Sequence, residues 1–245
     1  MRLQMLEDLA AEISTPRNQD ELQKALISAR DRMGFDYFAL SYDQWQNRSP
    51  LSKLLLHDYP QQWAEIYISG DYGRTDPVRR ACERSFTGFA WHDLSRYITL
   101  TKRDRKMLHV GSENGLSNGY TVPRQLPGQA IGTCSFVVGK GRSLPTSMLP
   151  IAEVVGALAL VTAMRIAGST TPTRKVVLSD RQRECVRWIA RGLTAQQTAD
   201  RLGIGMGTVV QHLRDARERY GVNCSETLIL SCLFDGLISF ADVFE

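Results

Sequence analysis

Apolar residues recur at helical spacing from the start of the chain: Leu3, Leu6, Leu9, Ala10 and Ile13, then Leu22, Ala25, Leu26, Ala29 and Met33. Steps of three and four residues put each set on one face of an α-helix. The pattern then changes. Residues 35–42 are rich in strand formers, residues 51–56 read as a second strand, and a Tyr59-Pro60 break follows. Residues 119–123 and 131–138 flank Pro127-Gly128, which predicts a hairpin. A long helix over residues 148–166 comes next. Hairpins bracketed by helices predict an α+β layout, an antiparallel sheet with helices on its faces.

Residues 168–175 are small, polar and proline-bearing, as a short linker should be. Beyond them every segment reads as a short helix. Ser179 precedes Gln182 by three residues, Thr194 precedes Gln197, and Thr208 precedes Gln211. In each pair the hydroxyl and the amide can satisfy orphan backbone donors reciprocally, a capping box. Gly203-Ile204-Gly205-Met206-Gly207 separates the second and third helices, so the pair forms a helix-turn-helix. The division expected is therefore 1–167, a linker at 168–175, and 176–245.

Val209, Leu213, Ala216 and Tyr220 form the buried stripe of the third helix, leaving Val210, Gln211, Arg214, Asp215 and Glu218 outward. Arg can donate twice to guanine, and Gln can pair with adenine. Gln211 is in tension here, because an amide engaged in capping is less free to read a base. A helix starting at Gly205 would release it.

Composition adds little until it is divided. The 245 residues carry 30 Lys or Arg against 26 Asp or Glu, a net charge of +4, which diagnoses nothing alone. From Arg174 to Ser225 there are ten basic residues against five acidic ones, whereas the first 170 residues hold twenty against seventeen. The basic excess is concentrated in the helical module. Basic helix faces are often simply solvated, and Asp215 and Glu218 would oppose phosphates, so charge alone does not decide for DNA.

Five cysteines without a C-x-x-C pair fit reduced thiols in a cytoplasmic protein. The four histidines lack metal-ligand spacing, so neither a metal nor a cofactor is expected. Pro150, Glu153 and Arg165 interrupt the most apolar stretch, which reads as a core or interface helix rather than a membrane span. No nucleophile–base arrangement or phosphate-binding loop is discernible, so no catalytic residue is named and an enzyme with an appended module is the poorer reading.

The C-terminal residues carry a resemblance. Leu178-Ser179-Asp180-Arg181-Gln182-Arg183-Glu184, Arg191-Gly192-Leu193-Thr194, Ala199-Asp200-Arg201-Leu202-Gly203-Ile204, Thr208-Val209, His212-Leu213, Tyr220-Gly221-Val222 and Gly236-Leu237-Ile238 resemble the LuxR-type helix-turn-helix. Gln182 stands where that family usually has Glu, Val186 where Leu is usual, and Gly205 where a Ser cap is usual. By resemblance, Thr194, Thr208, Val210, Gln211, Arg214 and Arg217 would face DNA. In the first part, Tyr59-Pro60, Trp63, Tyr67, Asp76-Pro77, Trp91, Gly119 and Pro123 resemble the acyl-homoserine-lactone-binding domain of quorum-sensing regulators. Together the two resemblances leave only residues 239–245 as extra.

What the resemblance implies is a ligand-responsive transcriptional regulator, not an enzyme, with an N-terminal α-β-α sandwich and an all-α C-terminal domain. Trp63 would donate to the lactone carbonyl, Asp76 accept from the ligand amide, and Tyr59 donate to the amide carbonyl. Ser135 would assist or contact a tail substituent, while Tyr67 and Trp91 supply aromatic walls. An orphan regulator answering to another small molecule, or to none, is the alternative. A dimerising partner that does not bind DNA is disfavoured by Arg214 and the full helical module. Residues 228–238 and 148–166 each carry more apolar residues than one side can bury, which predicts a homodimer and an inverted-repeat operator. Expected partners are the lactone, operator DNA, a second copy and RNA polymerase, with no membrane.

Overall fold

The structure, a computed structural model, describes residues 2–46, 49–126, 130–167 and 176–244. The described residues form two compact units, one of residues 2–46, 49–126 and 130–167 and the other of residues 176–244. The predicted linker at 168–175 and the predicted turn at Pro127-Gly128 lie outside the described residues.

In the first unit, α1 (Arg2–Ser14) and α2 (Gln19–Met33) follow the predicted periodicities. Leu9 and Ile13 of α1 and Leu22, Ala25, Leu26, Ala29 and Met33 of α2 are buried, whereas Leu3 is exposed. Asn18 caps α2 by accepting from the Glu21 N–H. Strands β1 (Tyr37–Gln46) and β2 (Ser49–His57) pair antiparallel, as do β4 (Asn118–Leu126) and β5 (Ala130–Val138). Short β3 (Phe89–Ala90) completes an antiparallel sheet in the order β2-β1-β5-β4-β3. Helices α3 (Gln61–Ser69), α4 (Pro77–Cys82) and α5 (Lys102–Glu113) lie between β2 and β4 in sequence, and α6 (Leu149–Ile166) closes the unit. Helix α5, opened by a Thr101–Asp104 capping box, had no counterpart in the sequence reading.

Directly opposed residues in an antiparallel sheet point to the same face. Phe38, Leu40, Cys134, Phe136, Leu54 and Leu56 therefore face one way, and they join α1, α2 and α6 in a fully buried core. Helix α6 is long and apolar enough to cross a membrane by composition alone. Here Ile151, Ala152, Val155, Ala159, Leu160 and Ala163 are buried inside the unit, as expected of a core helix. Gly156 lets α6 lie on the sheet, since a Cβ there would come 2.9 Å from Cγ2 of Val122. The other sheet face carries the alternate residues, beneath α3, α4 and α5. The result is the α-β-α sandwich.

The second unit holds α7 (Asp180–Ala190), α8 (Ala195–Leu202), α9 (Met206–Tyr220), α10 (Ser225–Phe234) and α11 (Phe240–Phe244). Capping boxes form at Ser179–Gln182 and Thr194–Gln197 as predicted. The third does not. Helix α9 starts at Met206 with Gly205 as its cap, so Thr208 lies inside the first turn rather than at the cap, and no side chain caps the helix. The predicted stripe Val209, Leu213 and Ala216 is buried, and the Tyr220 hydroxyl donates to Oδ2 of Asp235 at 2.9 Å.

The apolar run 228–238 is not one helix. Helix α10 ends at Phe234, and Gly236, at φ 68°, turns the chain so that Ile238 is buried in the core. Residues 239–245, read as extra, pack on this unit as far as they are described: Arg191 Nε donates to the Asp242 carbonyl at 2.6 Å, and Arg187 pairs with the Asp242 carboxylate at 3.2 Å.

Candidate functional site

Across the sheet, Ala39 on β1 stands opposite His57 on β2 and Ser135 on β5, and Ser135 stands opposite Thr121 on β4. One step along, Ser41 stands opposite Leu55 and Thr133. Whereas Phe38, Leu40 and Phe136 on the reverse face are large and apolar, these side chains, apart from Leu55, are small or polar. They floor a cavity of about 170 Å³ beneath α3, α4 and α5, and Tyr59, Trp63, Tyr67, Asp76, Trp91 and Ser135 all line it.

Tyr59 precedes α3, and Trp63 and Tyr67 follow at four-residue steps, so all three share one side of that segment. Trp63 is buried, edge-on to Tyr67 at 5.9 Å and stacked on Tyr72 at 6.3 Å between ring centroids. Asp76-Pro77 supplies a helix start, with Asp at the cap and Pro in the first turn. Asp76 Oδ1 accepts from the Val78 N–H at 2.7 Å, and Oδ2 accepts from the Tyr67 hydroxyl at 2.8 Å. A carboxylate has about four acceptor positions, so acceptor capacity remains for a ligand donor. Arg79 pairs with Asp43 at 2.5 Å and ties α4 to β1.

Burial pushes the Asp76 carboxyl above its ordinary value, and the bonds from Tyr67 and Val78 offset part of that rise. Burial also lifts the Tyr59 and Tyr67 hydroxyls, with the Asp76 charge adding to both. Both phenols therefore stay protonated donors at any physiological pH. Neither the Tyr59 hydroxyl nor the Trp63 indole N–H has a hydrogen bond among the described residues.

Trp91 Nε1 donates to Thr121 Oγ1 at 2.9 Å, and Thr121 Oγ1 lies 2.8 Å from Ser135 Oγ. Gly119 admits the indole against β4, since a Cβ there would lie 2.6 Å from Cε2 of Trp91. The cavity thus brings together donors, an acceptor and apolar walls. That set can hold a small amphipathic molecule with at least two carbonyls and one N–H.

Sequence reasoning passed over Ala39, Ser41, Thr133 and His57, which also line the cavity. Their signal was the alternation itself. Phe38, Leu40 and Tyr42 interleave with Ala39 and Ser41, and Cys134 and Phe136 interleave with Thr133 and Ser135.

In the helical unit, Thr208, Val210, Gln211 and Arg214 are exposed on the outer side of α9, and Thr194 is exposed at the start of α8. Gln211, free of capping, donates to Oδ1 of Asp215 at 2.6 Å, and Arg214 reaches Gln211 Oε1 at 3.4 Å. Arg217 is half-buried and reaches Ser225 Oγ at 3.3 Å, a contact that ties α9 to α10. Arg191 and Arg201 both lie against the Trp188 ring, at 4.8 and 4.9 Å from its centroid, which joins α7 to α8.

Comparison with known proteins places both units. Residues 18–166 match the autoinducer binding domain, and residues 176–234 match the bacterial regulatory proteins of the luxR family. The chain belongs to the LuxR family. Similar proteins include the transcriptional activator AnoR of Acinetobacter nosocomialis, 24% identical over 95% of this chain and 98% of the other. The transcriptional activator TraR of Rhizobium radiobacter is 27% identical over 90% of this chain and 92% of its own length. Among solved structures, Escherichia coli SdiA superposes with a TM-score of 0.66 at 20% identity, covering 97% of this chain and 99% of that one. Another SdiA structure, in complex with octanoyl-rac-glycerol, gives 0.65, with 97% of each chain covered. This LuxR-family chain is thus an autoinducer-binding regulator with a helix-turn-helix DNA-binding domain, in a family of transcriptional regulators and not of enzymes.

Proposed function

We propose that this LuxR-family regulator binds an N-acyl-homoserine lactone in the cavity and, as a homodimer, an inverted-repeat operator through α9. The observation that carries the ligand reading is the cavity's set of polar groups. Two donors lining it, the half-buried Tyr59 hydroxyl and the indole of buried Trp63, lack hydrogen bonds among the described residues, and a buried Asp76 retains acceptor capacity. The ligand's amide carbonyl, lactone carbonyl and amide N–H answer them one for one. Leaving such a buried group unpaired costs about 1–3 kcal/mol, so three matched groups discriminate strongly.

Ser135 serves the head group together with Thr121, while Tyr67 orients Asp76 and, with Trp91, walls the ligand. In the C-terminal domain, Arg214 and Gln211 read base edges, Val210 contacts a base methyl, and Thr194 and Thr208 meet the phosphate backbone. Arg217 acts chiefly by holding α10. Residues 1–167 and 176–245 form the two domains, joined at 168–175, and the protein works in the cytoplasm beside RNA polymerase. Exposed Val154 and Val161 on α6, and Leu230 and Phe234 on α10, support a homodimer, because monomers rarely present such side chains from two separate helices.

The test is mass spectrometry of small molecules extracted from full-length protein expressed in a lactone-producing host. Stoichiometric recovery of one lactone is the expected result. Soluble protein that repeatedly yields none, or an acylglycerol instead, would favour a regulator of another ligand.

A further inference from the structure

Helix α4 carries two successive arginines with different partners. Asp76 caps the helix and Arg79 follows three residues later, so both side chains lie on one side of it, toward the cavity they line. Arg80 instead pairs with Asp104 at the start of α5. Arg79 Nη2 lies 2.5 Å from Asp43 Oδ2, and Asp43 stands on β1 two residues beyond Ser41, on the same sheet face. Both partners are largely withdrawn from water, with side-chain exposures of 29% and 19%. An ion pair thus stands at the wall of a cavity lined mostly by apolar groups.

Arg79 bears on Asp76 by two routes. Burial favours the neutral Asp76 carboxyl, and against it act the Tyr67 hydroxyl, the Val78 N–H, and both the charge and the backbone N–H of Arg79. The Arg79 side chain also hydrogen-bonds Tyr67, whose hydroxyl donates to Asp76 Oδ2 at 2.8 Å. The remaining ionisable groups near Asp76 carry no charge at neutral pH. Burial lifts the Tyr59 and Tyr67 phenols, pushes the Cys82 thiol up to about 12, and lowers His57 on the cavity floor. Helix α5 contributes only Met107, Leu108 and Gly111 to the lining. Among the described residues, Arg79 is therefore the cation that shares the cavity with Asp76, and Asp43 holds it there.

We propose that Arg79 is a positioning residue for the ligand contact at Asp76, fixed by Asp43 so that a positive charge stands one helical turn from the carboxylate that accepts the ligand N–H. A tie between α4 and β1 could be made by any well-packed pair. Only a cation keeps the acceptor anionic inside an apolar cavity, and an anionic acceptor bonds about twice as strongly as a neutral one. Arg79 acts through Asp76 and need not touch the ligand. This inference rests on the lactone reading and deepens it.

The experiment titrates the full-length chain with N-octanoyl-homoserine lactone by calorimetry at several pH values on the acid side of neutral, and locates the midpoint at which affinity is lost. Arg79→Gln should raise that midpoint by about one pH unit, the scale set by a unit charge one helical turn away at an effective dielectric of about 20. Affinity should then be about tenfold lower below both midpoints and nearly unchanged well above them. Arg79→Lys keeps the charge and should keep the midpoint. Arg79→Gln combined with Asp43→Asn leaves no unpaired carboxylate, so it serves where the single variant fails to fold. Its midpoint should still rise, though by less, because the opposing Asp43 charge leaves as well. A pair that merely tied α4 to β1 would instead lower affinity equally at every pH in Arg79→Gln and regain it in the double variant. A midpoint absent or unmoved in the neutral variants, or moved as far in Arg79→Lys as in Arg79→Gln, would overturn the role of Arg79 and leave the lactone reading intact. A wild type that binds the lactone at no pH would overturn both.

Discussion

The two faces of the central sheet share strands and backbone but not purpose. On one face Phe38, Leu40, Cys134 and Phe136 meet α1, α2 and α6 with no exposed surface. On the other, Ala39, Ser41, Thr133 and Ser135 occupy the interleaved positions and floor a cavity. The difference is volume and polarity, residue by residue, along the same two strands. Close packing makes the first face intolerant of change in either direction. The second gives up packing to keep space and unpaired hydrogen-bonding groups. One sheet thus separates the support of the fold from the recognition of a ligand.

The largest effect should come from the packed face. Phe136 is fully buried, its ring 5.5 Å from that of Phe35. Phe136→Ala should destabilise the N-terminal unit by about 3–5 kcal/mol, read by denaturant unfolding. A loss below about 1 kcal/mol would show that this face is not the main support.

Next comes the cavity. Asp76→Asn keeps size and can still cap α4, but it removes an anionic acceptor. Lactone affinity should fall about tenfold to a hundredfold, with little change in melting temperature. The pH dependence has a definite sign. Burial raises the folded-state pKa of Asp76, so its contribution to stability is present below the unfolded pKa and lost as pH rises through the folded one. A ligand N–H favours the ionised form. Lactone affinity should therefore weaken as pH falls through the raised pKa, and Asp76→Asn should flatten that part of the profile. Isothermal titration calorimetry at several pH values checks both. A wild-type profile retained in the variant would remove Asp76 from the contact.

A smaller effect tests the packed face by addition. A Cβ at Gly156 would come 2.9 Å from Cγ2 and 3.0 Å from Cβ of Val122. Gly156→Ala should lose about 1–2 kcal/mol by thermal unfolding, despite the better helix propensity of Ala. A stabilised variant would mean that α6 can shift freely on the sheet.

These contrasts also bound what the sequence could tell. Helices α1 and α2 were legible because one apolar stripe per helix suffices to announce them, α6 because its apolar run is too long for a strand, and α7 and α8 because Ser179–Gln182 and Thr194–Gln197 mark their starts. The same signature misled at Thr208–Gln211, where Gly205 offered an earlier start. Local spacing cannot rank two competing caps. The six cavity residues named from resemblance do converge on one cavity, but His57 and Ala39 meet only through strand register, which no local pattern encodes. The docking of Asp242 on Arg187 and Arg191 was equally hidden, because a contact about fifty residues away leaves no periodicity to read.

The smallest expected change in stability is the sharpest test of the comparison. Ala39 sits on an interior strand, between His57 and Ser135, with its methyl toward the cavity. Ala39→Val adds two carbons there, more than Gly156→Ala adds on the packed side. On the packed face that addition meets Val122; on this face it meets space. Valine also suits a strand better than alanine, by a fraction of about 1 kcal/mol. The melting temperature of ligand-free protein should therefore stay level or rise slightly, a change within about 0.5 kcal/mol. The added carbons occupy volume that an acyl chain would use, so lactone affinity should fall even as the fold holds. Measuring both on one preparation separates packing from recognition at a single residue. If Ala39→Val instead melted as early as Gly156→Ala, the cavity floor would be packed as tightly as the reverse face, and the division of labour between the two would be gone.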